Sequence, residues 1–222
     1  MIESQKIIWR NEHVKQETFT RIHSEKPSGP IPDFIKFIKK QGFIPSKTAI
    51  LDIGCGKGRN SIFLASQGFN VTGVDFAPEA IKEARKRAGK ITNIEFKKLD
   101  LSKNWPYKNE SFEIIVDCFS TMCIPFKGRQ NAISESFRVL KTNGYFLFYA
   151  IGRTSLVDKS PGPEFNSAIF PKTGKFEKQY EESEIRNEFR NFKIISLKKS
   201  TGNDVIEGKK FAYPLWVGIL QK

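Results

Sequence analysis

Between residues 33 and 151 the apolar positions follow two alternating rhythms. Short unbroken runs, such as Thr48 to Ile53 and Phe112 to Phe119, read as strands buried on both faces. The stretches between them return apolar residues every three or four positions and read as helices. After Pro32, Asp33 opens a helix with Phe34, Ile35, Phe37 and Ile38 on one face, ending near Gly42. Strand Thr48–Ile53 leads to a helix from Arg59 to Gln67, stopped by Gly68. Strand Asn70–Asp75 leads to a helix with Pro78 in its first turn, which stops at Gly89. A third strand, Asn93–Lys98, and the fourth, Phe112–Phe119, follow. A further helix ends near Leu140, and Asn143-Gly144 turns into a fifth strand, Tyr145–Ile151.

This alternation implies an α/β fold with a parallel, doubly wound sheet. The remainder differs. Glu181–Phe189 reads as a helix, and Phe192–Lys199 and Phe211–Leu220 as strands. The polar stretch 198–210, with two glycines, reads as their hairpin loop, so the sheet finishes with an antiparallel pair. Residues 152–179 form a long, breaker-rich insertion of the kind that is either a functional lid or disordered. Residues 1–30 are polar, carry Trp9, His13, Phe19 and His23, and end in the cluster Pro27-Ser28-Gly29-Pro30. They are expected to be a lid segment ahead of a single domain at 31–222.

Composition narrows the classes. At 222 residues and 39% apolar, with 20 phenylalanines, the chain suits one domain with a largely aromatic core. The net charge of +13 comes from scattered lysines and arginines. It fits a solvated surface, or an anionic partner such as nucleic acid or a small oxyanion. Three mid-chain cysteines, Cys55, Cys118 and Cys123, form neither a disulfide framework nor a zinc pattern. A cytoplasmic protein without resident metal is expected. No h-region of a signal peptide and no apolar run long enough for a membrane span is present.

The chemistry concentrates in Ile50 to Ser61, I-L-D-I-G-C-G-K-G-R-N-S, and in Asp75, 23 residues after Asp52. A strand ending in an acid, a glycine-dense turn into a helix, and a second strand ending in an acid suit a nucleoside whose ribose hydroxyls need a carboxylate. A dinucleotide site needs G-x-G-x-x-G, yet the third glycine position falls on Arg59 or Ser61. Asp52 would also repel a pyrophosphate, whereas a ligand carrying an ammonium group fits. Cys55 reads as a packing residue, not a nucleophile.

The pattern Asp52-x-Gly54-x-Gly56-x-Gly58, continued through Asp75, Asp100 and the fourth strand, resembles class I S-adenosylmethionine-dependent methyltransferases over residues 45–151. The resemblance implies a Rossmann-like fold, a mostly parallel seven-stranded sheet with an antiparallel last strand, and S-adenosylmethionine as cofactor. It implies that Gly54, Cys55, Gly56 and Gly58, with Asn60 just beyond, pack along the methionine moiety, and that Asp52 orients its amino end. It places Asp75 on the ribose, Phe76 against the adenine, and Asp100 with the Leu101 backbone at the adenine amino group. Asp117, Cys118 and Phe119 would line the reacting face. Structural alternatives stand beside two of these: Asp100 as N-cap of a turn at 101–104, and Asp117 as a cap for loop backbone.

The acceptor is less legible, because methyl transfer from an activated donor asks mainly for proximity and alignment. After the fourth strand the chain reads D-C-F-S-T-M-C-I-P. It lacks the N-P-P-Y or D-P-P-Y of enzymes acting on base or glutamine amino groups, and the Pro-Cys of cytosine C5 enzymes. A small-molecule acceptor is expected. G-C-G-K-G-R-N-S-I-F-L-A-S-Q-G-F-N-V-T-G-V-D is similar to the tellurite-resistance and thiopurine type, which implies a thiol or a chalcogen oxyanion. Arg59, Arg153 and Tyr180 are acceptor-side candidates. His13 and His23 are candidate bases, or exposed loop histidines. The rival readings are an RNA or protein methyltransferase, motivated by the charge, and a non-catalytic S-adenosylmethionine-binding protein.

Overall fold

A computed structural model describes residues 3–15, 24–206 and 209–222, with backbone alone at 204–206 and 209–211. Phe19 and His23 lie outside the described residues. The helices are α1 (Glu3–Val14), α2 (Ile31–Lys40), α3 (Arg59–Ser66), α4 (Pro78–Ala88), α5 (Phe126–Val139), α6 (Leu156–Lys159) and α7 (Glu182–Glu188). The strands are β1 (Ala49–Ile53), β2 (Asn70–Asp75), β3 (Ile94–Lys98), β4 (Phe112–Cys118), β5 (Leu140–Ile151), β6 (Ser167–Ile169), β7 (Phe176–Lys178), β8 (Lys193–Ile206) and β9 (Lys209–Gln221).

Seven strands form one sheet in the order β3-β2-β1-β4-β5-β9-β8. All pairings from β3 to β5 are parallel, and β9 runs antiparallel to both neighbours. The order reverses between β1 and β4. Loops leaving the carboxyl ends of these two strands therefore part company, which opens the crevice where such sheets bind ligands.

The period of two divides each central strand between two cores. Ile50 on β1, Ile114 and Val116 on β4 and Leu147 on β5 meet Phe34, Ile35 and Ile38 of α2. The alternate residues Leu51, Ile53, Ile115, Phe146 and Phe148 meet α5 and α7. The second core is aromatic as composition suggested: Phe146, Phe148, Phe189 and Phe192 lie with ring centroids 4.8–5.9 Å apart in successive contacts.

Three expectations change. Residues 198–206 and 209–210 are strand, not loop, because β8 and β9 pair from Lys193↔Gln221 to Ile206↔Lys209, with one register shift between Ile194 and Ser196. Lys198 to Thr201 and Asn203 lie exposed on this long hairpin, where polarity and strand structure are compatible. β5 begins at Leu140, ahead of the expected Tyr145, and Asn143 is accommodated at φ 64°. The insertion 152–179 is built from α6 and an antiparallel ribbon of β6 and β7.

A buried guanidinium fastens that insertion. Arg129 on α5 has no exposed side-chain surface and donates to Glu164 of the insertion, to Glu188 of α7 and to the Ile124 carbonyl. Helix α1 explains why its sequence resisted placement. Its buried residues are Gln5, Glu12 and His13, so no apolar stripe marks it. One face carries Lys6, Arg10 and His13, spaced as successive turns of a helix. The other carries Gln5 and Glu12, which bond to residues 174–176.

Candidate functional site

The loop after β1 depends on three glycines in the left-handed region, Gly54 (φ 64°), Gly56 (φ 54°) and Gly58 (φ 82°). Two are also required by space. A Cβ on Gly54 would stand 2.2 Å from Ser120 Oγ, and one on Gly58 would stand 2.8 Å from the Phe96 ring. The loop is thereby pressed against the residues following β4, and Ser120 Oγ donates to the Gly54 carbonyl. Gly58 then caps α3, and Ile62 N–H bonds back to its carbonyl at 2.8 Å.

Two acids brace this loop. Asp75, ending β2, accepts from Gly56 N–H through Oδ2 and from Ala77 N–H through Oδ1, both at 2.9 Å. Asp52 is buried below the loop and accepts from the Ser61 hydroxyl. Burial pushes its carboxyl up to about 7, with Ser61 and Arg59 opposing the rise. Asn60 accepts from Ser28 N–H, and Arg59 reaches Ser28 Oγ at 3.1 Å, so the first turn of α3 ties down the segment before α2. Cys55 is buried against Ile81, Ala84, Ala88 and Phe96, and burial raises its thiol.

At the end of β3, Asp100 closes a turn by accepting from the N–H and hydroxyl of Ser102, and it pairs with Lys6 of α1 at 3.0 Å. Leu101 is buried in the core. At the end of β4, Asp117 accepts from the N–H groups of Ser120 and Thr121 and from the Thr121 hydroxyl. Burial moves its carboxyl up to about 6, and these bonds hold the rise in check. Cys118 is half-buried and its thiol is raised by burial. Phe119 follows at φ 63°, a conformation rarely taken by a bulky residue, with its ring 4.4 Å from that of Tyr149. Strain of this kind clusters at functional sites.

The carboxyl ends of β1, β2, β3 and β4 thus bring together Asp52, the glycine loop, Arg59, Asn60, Asp75, Phe76, Asp100 and Asp117 to Phe119. His13 also belongs here, since a Cβ on Gly56 would lie 3.6 Å from its Cε1. Arg153 and Tyr180 are engaged by neighbours of their own, and Tyr180, bridged to Gly152 just past the carboxyl end of β5, has its hydroxyl raised by burial and by the nearby charges of Glu188 and Asp117. Arg153 bonds to Asn166 and Asp158 within the insertion. Tyr180 is 1% exposed, packs edge-on to Phe148 and donates to Glu188. Sequence reasoning missed Lys6 and Arg10. Arg10 pairs with Glu79 at 2.6 Å, and its four-residue spacing from Lys6 was the available signal.

Glycines that expose backbone, rimmed by acids, suit a ligand rich in hydroxyl and ammonium donors. This fits S-adenosylmethionine and disfavours a pyrophosphate. Comparison with known proteins agrees. Residues 50–144 match the methyltransferase domain family. The chain is 29% identical over 152 residues to YqeM, a methyltransferase-type protein of Bacillus subtilis, covering 66% of this chain and 60% of that protein. It resembles the structure of a SAM-dependent methyltransferase from Methanosarcina mazei (26% identity, TM-score 0.70, covering 83% of this chain and 96% of that one). TehB from Haemophilus influenzae shares the fold at 22% identity and TM-score 0.67, covering 87% of this chain and 62% of that one. Residues 50–144 thus carry a methyltransferase domain, set in a fold that the chain shares with S-adenosylmethionine-dependent methyltransferases. The chain spans between about a third and 60% of the length of curated relatives it matches.

Proposed function

We propose that the protein transfers a methyl group from S-adenosylmethionine to a small acceptor, a thiol or a chalcogen oxyanion. The observation that carries this reading is the glycine loop fastened to Asp75, with Asp52 buried beneath it. When bound, the cofactor supplies a methyl group already activated on a sulfonium. Asp75 is assigned to the ribose hydroxyls, and the remaining lone pairs on its two oxygens are available to them. Gly54, Gly56 and Gly58 bring backbone close to the methionine moiety, and Asp52 favours its ammonium group. Phe76, and Asp100 with Leu101, serve the adenine. Asp117 acts by holding the turn that presents Cys118 and Phe119.

In this reading, α1 and the insertion 152–179 cover the site. Their support is the set of contacts that α1 makes in both directions: Lys6 to Asp100 and Arg10 to Glu79 on one side, Glu12 to Lys175 on the other. Such a cover excludes water and suits a free small acceptor more than a polymer. Arg59, at the first turn of α3, is the assigned acceptor-side cation. The three free cysteines motivate a cytoplasmic location. Calorimetry with S-adenosylhomocysteine is the test. Wild type binds, and Asp75→Ala loses at least tenfold in affinity. Absence of binding by the wild type, or full affinity in the variant, refutes the assignment.

A further inference from the structure

The ribbon of the insertion places one acid where the candidate bases read from sequence do not reach. β7 packs against the turn Thr121–Cys123 that follows β4. Side chains alternate along it. Phe176 and Lys178 are buried on one face, and the Lys178 ammonium is spent on Glu184 and the Phe165 carbonyl. Glu177 lies on the opposite face with Lys175 and Gln179 as its flanking neighbours. The Gln179 amide donates to Glu177 at 2.9 Å, and its own oxygen accepts from Thr154 N–H and Oγ1, which fixes the amide's direction. Lys175 is committed to Glu12 at 3.1 Å and lies over the rings of Trp9 and Phe170.

Among the described residues, Glu177 therefore has one hydrogen bond and no ion pair. Its charge is felt by the Cys123 thiol, as are those of Lys175 and Asp117. Cys123 Sγ in turn lies 3.2 Å from the Phe119 carbonyl. Glu177 thus stands beside the segment that leaves the end of β4. His13, in contrast, lies over Gly56 on the Asp75 side.

We propose that Glu177 is the catalytic base of the acceptor side, and that it selects acceptors carrying a proton on the reacting atom, thiols above preformed oxyanions. This rests on the methyltransferase reading and deepens it. The acceptor S–H proton passes to a Glu177 carboxylate oxygen, and its electron pair stays on sulfur. That sulfur bonds the methyl carbon as the carbon–sulfonium bond breaks, and the released pair neutralises the sulfonium. The products are a thioether, S-adenosylhomocysteine and a protonated Glu177, which returns its proton to water. Burial pushes the Glu177 carboxyl up to about 7, with Gln179 and Lys175 pulling against it, so it is matched to this task near neutral pH.

The test uses protein with ¹³C-labelled glutamate carboxyls, saturated with S-adenosylhomocysteine and titrated by NMR. The Glu177 resonance is assigned by its absence in Glu177→Gln. It is expected to titrate near pH 7 and to shift on saturation with 2-mercaptoethanol, a thiol that arrives protonated, but not with selenite. With S-adenosylmethionine in place, 2-mercaptoethanol methylation at neutral pH falls about 100-fold in Glu177→Gln, while calorimetry finds S-adenosylhomocysteine bound as tightly as by wild type. A midpoint in the ordinary carboxylate range, a resonance indifferent to 2-mercaptoethanol, or an unchanged rate overturns the proposal alone. Failure of the wild type to bind S-adenosylhomocysteine removes the methyltransferase reading instead, and this proposal with it.

Discussion

Substituting Arg129 by methionine strands two carboxylates. In the native fold its Nε and Nη2 straddle Glu188 at 2.9–3.2 Å, and Nη1 and Nη2 reach Glu164 at 3.2 and 2.7 Å. The side chain is wholly buried, so water does not screen these contacts. Removing one partner of a buried ionic cluster costs about 3–5 kcal/mol, mainly because the other charge stays buried and uncompensated. Against a domain stability of roughly 5–15 kcal/mol this is a large fraction. With a urea slope of about 2–3 kcal/mol/M, the unfolding midpoint falls by about 1–2 M. Adding Glu188→Gln to Arg129→Met removes one stranded charge and raises the midpoint again, although Glu188→Gln alone lowers it. Because Glu164 belongs to the insertion, proteolytic cutting within 152–179 also accelerates in Arg129→Met. A midpoint within 0.3 M of wild type, by the same slope, or no recovery in the double variant, refutes this account of the cluster.

Gly58→Ala combines an unfavourable φ with a 2.8 Å approach to Phe96. It is expected to lower stability by about 1–3 kcal/mol and to weaken S-adenosylhomocysteine binding, both measurable by thermal shift with and without ligand; an unchanged melting temperature would contradict the close approach. Asp52 gives a pH signature. Its folded value, about 7, lies above its ordinary 3.8, so the folded state holds the extra proton between them. The resulting stability is full below about pH 4 and is lost as pH rises through 7. Urea unfolding across pH 4.5–8 should therefore show a smaller decline in Asp52→Asn than in wild type, and equal slopes would refute the assigned shift.

Much of the sheet was legible because buried parallel strands are apolar on both faces. The run at β2 matched from Asn70 to Asp75, and Pro78 and Gly89 marked the limits of α4. The glycine loop was legible for a related reason, since left-handed backbone leaves few residue choices. Two kinds of element were not. Helix α1 is attached by Gln5, Lys6, Arg10 and Glu12, polar residues that periodicity treats as solvent-facing. The paired stretch beyond Lys199 owes its structure to backbone bonding with β9, which leaves no apolar trace. The partners of Tyr180 and Arg153 were hidden for a third reason. Their own neighbours, Glu188, Asp158 and Asn166, satisfy them, and sequence does not reveal partners brought together by the insertion's folding.

The strand order β5-β9-β8 has a consequence for biosynthesis. The five parallel strands are complete once residue 151 has been made, yet the β5 edge stays uncovered until residues 209–221 arrive. During that interval β5 presents unpaired peptide groups along a run containing Tyr145, Phe146, Leu147 and Phe148. An open, aromatic edge is a template for pairing with another nascent chain. β8, made earlier, cannot cover it, because its place is on the far side of β9. The edge is therefore closed only by β9, and β8, with its lysines, becomes the finished edge of the sheet.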